Sequence, residues 1–131
     1  MDIALSEALA PVLRDLATSG APVPGVRGQQ WTDFPGQVTA TPADADGTAH
    51  GVSAMATESL PRRIASVAGQ VQEWAVEALW RADRPAVRPE CPQHPNSHPL
   101  AAAVEDGRAV WFCPRTGHLV NDAGRLRAPG R

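Results

Sequence analysis

Apolar and polar positions divide the chain into two helical stretches, each followed by segments of β pattern. In residues 3–19, Leu5, Leu9, Val12, Leu13 and Leu16 recur at the three- and four-residue spacing of an amphipathic helix. Asp2 is placed to cap its start and Gly20 to end it. Pro11 falls inside this stretch. It removes a hydrogen bond and crowds the preceding turn, so the pattern predicts a kink, or two short helices meeting at Ala10. The acidic and Ser/Thr positions of the segment are expected to face water. A second and stronger helical pattern covers residues 60–83, where Ile64, Val67, Ala68, Val71, Trp74, Ala75, Ala78 and Leu79 keep one face through four turns. Ser59 supplies its cap, Pro61 sits in the tolerant first turn, and Arg84-Pro85 stops it. Glu73 and Glu77 lie four residues apart, so their face is solvated or meets a basic partner. Trp80 lies off the main stripe and is available to pack on a neighbouring module or to form an interface.

Between the helices, residues 20–30 read as a loop because Pro22, Pro24, Gly25 and Gly28 break any pattern. Trp31, Phe34 and Pro35 then cover the edge of a core, or form a binding loop. Gln37–Thr41 and Thr48–Met55 alternate weakly around the turn Asp44-Ala45-Asp46-Gly47 and predict a hairpin, with His50 a surface residue of its second strand. After the long helix, the proline-stiffened residues 84–90 mark an internal boundary. Leu100–Val104 and Arg108–Phe112 flank Glu105-Asp106-Gly107, a strong hairpin signal. Leu119 and Val120 add a third strand, ended by Asn121–Gly124, and Leu126 is a last core position. The predicted architecture is α+β. Residues 1–84 pack two helices on a short β-hairpin, and residues 89–127 form a small β module docked on the long helix.

Composition adds three points. All twelve basic residues are Arg and none is Lys. With abundant Ala and Pro, this suggests a GC-rich, bacterial coding sequence. The net charge of −2 argues against a general nucleic-acid binder, but the charge is uneven. Residues 1–83 carry five Arg against ten acidic side chains, −5, and residues 84–131 carry seven against four, +3. Asp2 and Glu7 stand where a signal peptide would be basic, and no stretch approaches a membrane span, so a cytoplasmic protein is expected. In a reducing compartment two cysteines favour a metal over a disulfide.

Both cysteines and three of the four histidines fall in residues 91–118. Cys91-x2-His94 is a short turn that can fold over an ion, and Cys113-Pro114-Arg115-Thr116-Gly117 has the shape of a second. Eighteen residues separate His94 from Cys113. Structural zinc takes four Cys or His ligands in a tetrahedron, and such turns supply them. Over residues 89–127 the chain resembles the zinc-ribbon family, through Cys-Pro-x-His at 91–94, a hairpin, and Cys-Pro-x-Thr-Gly at 113–117. The resemblance implies a bound Zn²⁺ and a small ribbon-like module. It departs from the common pattern at Thr116, where a second Cys is usual, and at His94, which replaces another. Cys91, His94 and Cys113 therefore map directly, and the fourth ligand is His98 or His118. His98 is favoured, because it continues an H-x3-H spacing between two prolines and because a polar residue after the turn glycine is common without ligation.

The expected role is that of a non-enzymatic zinc protein whose module binds another protein as an adaptor. A second reading is nucleic-acid binding through Arg108, Arg115, Arg125 and Arg127. A third is a zinc hydrolase or deaminase, for which the accompanying acid motifs are missing. Phosphate-loop, Gly-x-Ser-x-Gly and His-Glu-x-x-His motifs are absent. Chelation is expected to unfold residues 89–127 and spare the helix at 60–83.

Overall fold

The computed structural model describes residues 1–43 and 51–128. The turn expected at Asp44–Gly47 and His50 lie outside the described residues. The elements run α1 (Ile3–Ser19), β1 (Gly25–Gly28), β2 (Gln37–Ala43), β3 (Val52–Met55), α2 (Leu60–Arg81), β4 (Ala101–Glu105), β5 (Arg108–Phe112) and β6 (Leu119–Asp122). This is an α+β fold of two helices and two antiparallel sheets, ordered β1-β2-β3 and β4-β5-β6.

The helices begin and end where local chemistry dictates. The Asp2 carboxylate accepts the N–H groups of Ala4 and Leu5, and Gly20 closes α1 with φ of 80°. The Ser59 hydroxyl accepts the Arg62 N–H at the start of α2. The expected break at Pro11 does not occur, and α1 runs unbroken through it. Buried side chains on both sides of the proline, Leu5 and Leu9 before it and Val12 and Leu16 after it, hold the two halves to one core and offset the lost hydrogen bond.

The loop expected at 20–30 contains a strand. Gly25–Gly28 pairs with Ala43–Ala40 of β2, so the expected hairpin is the edge of a three-stranded sheet. Two glycines and an arginine give β1 no apolar alternation of its own, and its order comes from hydrogen bonds to β2. In the second sheet, Glu105 opposes Arg108 across Asp106-Gly107. Those two residues have φ of 50° and 72°, as a tight hairpin of primed type requires.

Helix α2 is shared by both sheets. Its buried stripe of Val67, Ala68, Val71, Trp74, Ala75 and Leu79 packs towards β3 on one side and β4 and β5 on the other. Each large side chain in that stripe contributes roughly 1.5–3 kcal/mol of apolar burial. Two glutamines tie the sheets to the helix. The Gln70 amide accepts the Ser53 N–H at 2.9 Å and donates to the Ser53 carbonyl at 2.8 Å, so it pairs with β3 as another strand would. The Gln72 amide donates to the Leu100 carbonyl just before β4. One continuous cluster of buried side chains includes Leu9 and Leu16, Ala40 and Val52, Val71 and Trp74, and Leu100, Trp111, Cys91, Cys113 and Leu126.

The expectation that all acidic and Ser/Thr positions of α1 face water fails at Asp15 and Ser19, which are buried. Asp15 sits three residues after Val12, on the stripe itself. Its Oδ2 accepts the Trp111 indole N–H at 2.7 Å and the Gly124 N–H, and its Oδ1 accepts the Leu126 N–H at 3.1 Å. Arg14 pairs with Oδ1 at 2.7 Å from the solvent side and donates to the Leu126 carbonyl at 2.9 Å. This carboxylate fastens the end of the chain to the first helix. Ser19 is satisfied by donating its hydroxyl hydrogen to the Leu16 carbonyl.

Gly124 sits in the same junction with φ of 92°, and a Cβ there would lie 2.9 Å from the Pro11 Cβ. Gly124→Ala combines left-handed strain with overpacking and should cost about 2–4 kcal/mol in urea unfolding. Gly69→Ala is the opposite case. Position 69 is an exposed, mid-helix site with nothing within 4 Å of an added Cβ, so this change should stabilise by about 0.5–1 kcal/mol. Equal effects at the two sites would contradict this account.

The aromatic residues of the first half are only partly used. The Trp31 indole N–H donates to the Ala40 carbonyl at 3.3 Å, and its ring lies against Gly51, while Phe34 is exposed. Trp80 packs on neither sheet and is 75% exposed.

Candidate metal centre

Two loops at one end of the second sheet carry the chemistry. The first is closed at its base by the Glu90↔Pro99 bridge, with the Leu100 N–H donating to the Pro89 carbonyl at 2.7 Å and the Cys91 N–H to the His98 carbonyl at 3.2 Å. Inside it the chain turns twice, His94 N–H to Cys91 carbonyl and Ser97 N–H to His94 carbonyl, both at 3.1 Å. Asn96 takes a left-handed φ of 59°, which asparagine tolerates better than most residues. These turns bring Cys91, His94 and His98 to one side. The second loop leaves β5 at Cys113 and returns at His118, whose carbonyl accepts the Cys113 N–H at 2.9 Å. Gly117 makes the turn with φ of 79° and donates to the Cys113 carbonyl at 2.8 Å.

A chain of polar contacts fixes the first loop to the fold. Arg88 donates to the Ser19 carbonyl at the end of α1 at 3.1 Å and lies 3.5 Å from Glu90. The other oxygen of Glu90 accepts the Asn96 N–H at 3.0 Å. The loop is thereby held from α1 to its tip. Across the two loops, the Thr116 hydroxyl lies 3.4 Å from the Gln93 side-chain oxygen.

One ligand atom from each of Cys91, His94, His98 and Cys113 lies within 4.8 Å of the others. His94 Nδ1 is 3.5 Å from Cys91 Sγ, 3.6 Å from Cys113 Sγ and 3.2 Å from His98 Nε2, and His98 Nε2 is 3.8 Å from Cys113 Sγ. A tetrahedral zinc with ordinary Zn–S and Zn–N bonds has edges of about 3.5 Å between S and N and about 3.3 Å between two N. The observed spacings match those edges to within a few tenths of an ångström. Both cysteines are buried and no disulfide joins them. The His98 ring is oriented by its second nitrogen. Nδ1 lies 2.9 Å from the Pro99 carbonyl, which takes its hydrogen and leaves the Nε2 lone pair facing the cluster. His118 is exposed and is not one of the four.

Thr116 has a role that residue identity alone did not reveal. Burial pushes the Cys113 thiol upwards. The Thr116 hydroxyl and N–H, then the Arg115 N–H and Cys91, favour its ionised form and outweigh burial, lowering Cys113 from 9.0 to about 6. A thiolate is the metal-binding form of cysteine, so the second loop presents its sulfur ready to ligate at neutral pH. The signal in the sequence is a hydroxyl residue three positions after Cys, within a turn whose N–H groups point back at the sulfur.

No family model matches the chain, and no curated protein and no solved structure matches it. The fold and the cluster therefore define the class on their own: an α+β protein with a Cys₂His₂ group suited to a metal ion. Among the described residues, no helix is long and apolar enough to cross a membrane.

Proposed function

We propose that the chain is a non-enzymatic zinc protein in which Cys91, His94, His98 and Cys113 hold one structural Zn²⁺, and that it acts as a cytoplasmic, protein-binding adaptor of ribbon type. The observation that carries the metal reading is the set of four interatomic spacings between 3.2 and 3.8 Å, which fit four of the six edges of a zinc tetrahedron, with all four ligand atoms inside 4.8 Å of one another. The donor set supports zinc over harder cations, since thiolate and imidazole suit zinc and calcium or magnesium prefer oxygen. Four side chains complete the tetrahedron and leave no ligand position for a water. That favours a structural over a hydrolytic role.

The exposed face of α2 supports a protein partner. Glu73, Glu77 and Trp80 follow one another at four and three residues, so they share a helix face, and all three are exposed. Tryptophan is enriched in the energetic centres of protein interfaces.

Elemental analysis of protein purified without added metal should find close to one zinc per chain. His98→Ala should weaken zinc binding by about tenfold or more in competition with a chromogenic chelator, whereas His118→Ala should leave it unchanged. Less than a tenth of a zinc per chain, or the opposite order of the two variants, would overturn the reading.

A further inference from the structure

The structure points to a second binding site, independent of the metal cluster. We propose that the cavity between α1 and the β5–β6 face binds a small phosphate-bearing ligand. This cavity is an open, solvent-facing groove of about 840 Å³, and four of the twelve arginines, Arg14, Arg108, Arg125 and Arg127, all exposed, line it. They arrive from three places: the middle of α1, the start of β5 and the segment after β6. Sequence separation hides the convergence, because Arg14 comes from the acidic half of the chain.

Charge balance gives the cavity its sign. Arg14 spends one donor on Asp15 at 2.7 Å and one on the Leu126 carbonyl at 2.9 Å, and Arg108 spends one on Asp122 at 2.8 Å. A guanidinium has five N–H donors, so both retain several. Among the described residues, no carboxylate pairs with Arg125 or Arg127. Four positive groups against Asp122 on the wall and Asp15 beneath it leave a surplus of two. Like charges gathered around one space repel, and an anion in that space reverses the sign of the interaction. Guanidinium groups match phosphate oxygens through paired N–H donors.

The remaining lining sets the size and character of the ligand. Thr18 and Asn121 add polar side chains beside the arginines, and Val110, Leu119 and Leu126 provide an apolar wall. An anionic head with a less polar body fits such a space better than a bare ion does. A nucleic acid fits less well. The lining contains no aromatic ring on which a base could stack, Arg115 does not contribute to it, and residues 1–83 carry −5.

The test uses the full chain as purified, titrated calorimetrically at low salt with adenosine, inorganic phosphate, AMP and ADP. ADP should bind at least about tenfold more tightly than adenosine, with AMP between them. The double substitution Arg125→Ala/Arg127→Ala should weaken ADP at least about tenfold, while metal content and melting temperature stay unchanged because neither residue supports the core. Inorganic phosphate binding as tightly as ADP supports the site with free phosphate as its source, and tighter ADP supports an organic phosphate. Equal affinity for adenosine and ADP, no binding of any phosphate compound at millimolar concentration, or an unchanged affinity in the double variant would overturn the proposal. So would a duplex of about 20 base pairs that binds more tightly than ADP and is lost in the double variant, since the site would then belong to nucleic acid. Neither arm depends on the zinc reading, because the metal content of every sample is measured separately.

Discussion

With the proposed zinc in place, its removal by excess strong chelator should lower the melting midpoint of the whole chain by more than about 15 °C. Zinc bound by structural Cys/His sites supplies on the order of 10 kcal/mol, comparable to the entire stability of a typical domain at roughly 5–15 kcal/mol. Each kcal/mol is worth roughly 3–4 °C in a chain of this size. Without an ion, two sulfur atoms and two imidazole nitrogens remain crowded within 4.8 Å, and Cys113 tends to the charged form beside Cys91. Opening the loops relieves this. Opening reaches the interior, because Cys91 and Cys113 belong to the same buried cluster as Leu100, Trp111, Val71 and Trp74. The pattern of the chain alone suggests that residues 89–127 would melt while the helix at 60–83 persists. The shared core predicts instead a single transition in which the helical signal of α2 is lost together with the β module. Circular dichroism melts before and after chelation, with removal verified by elemental analysis, decide the matter. An unchanged midpoint in metal-free protein would mean that the four side chains are held by packing alone. Cys113→Ser should reproduce the chelated state without chelator.

What the sequence revealed followed from how local each signal is. The stripes of α1 and α2 are visible because burial repeats every three or four residues within one element. The β4–β5 hairpin is visible because Asp106-Gly107 specifies its own turn. The Cys/His cluster is visible because cysteine and histidine are rare in this chain and carry a distinctive chemistry. The features that escaped depend on distant partners. Strand β1, Gly-Val-Arg-Gly, is ordered by the backbone of β2. Gln70 and Gln72 look like ordinary solvent-facing helix residues, yet they hold Ser53 of the first sheet and Leu100 just ahead of the second. Arg14 reads as one more surface charge until Arg108, Arg125 and Arg127 are brought around it. Asp15 left one clue. With Ala8, Val12 and Ser19 it follows the spacing of the buried stripe, and a carboxylate on such a stripe implies donors that must come from elsewhere in the fold.

Asp15→Ala should destabilise the protein by about 3–5 kcal/mol in urea unfolding, the range expected when a buried charge with several hydrogen bonds is removed. The substitution leaves the Trp111 indole N–H and the Leu126 N–H buried without an acceptor, deprives the half-buried Gly124 N–H of one, and removes the partner of Arg14. Asp15→Asn should be milder but still costly, because the donors converge on both oxygens and an amide offers only one. At Glu7, an exposed carboxylate of the same helix that lies 3.9 Å from Arg63, replacement by Ala should cost less than about 1 kcal/mol. A loss at Asp15 no larger than that at Glu7 would show that water reaches the orphaned donors and would sink the assignment. The position of Trp111 makes the effect more than local. Trp111 lies on β5 and Cys113 directly follows the strand's last residue, the first bonded to Asp15 and the second part of the Cys/His cluster. The strand is therefore fastened to the rest of the chain at both residues, and the two fastenings share neighbours, so their losses should not simply add. The sharpest form of the test is chelation of the Asp15→Ala variant. With roughly 10 kcal/mol of metal binding and about 4 kcal/mol of hydrogen bonding both removed, the chain should show no cooperative unfolding transition at 25 °C.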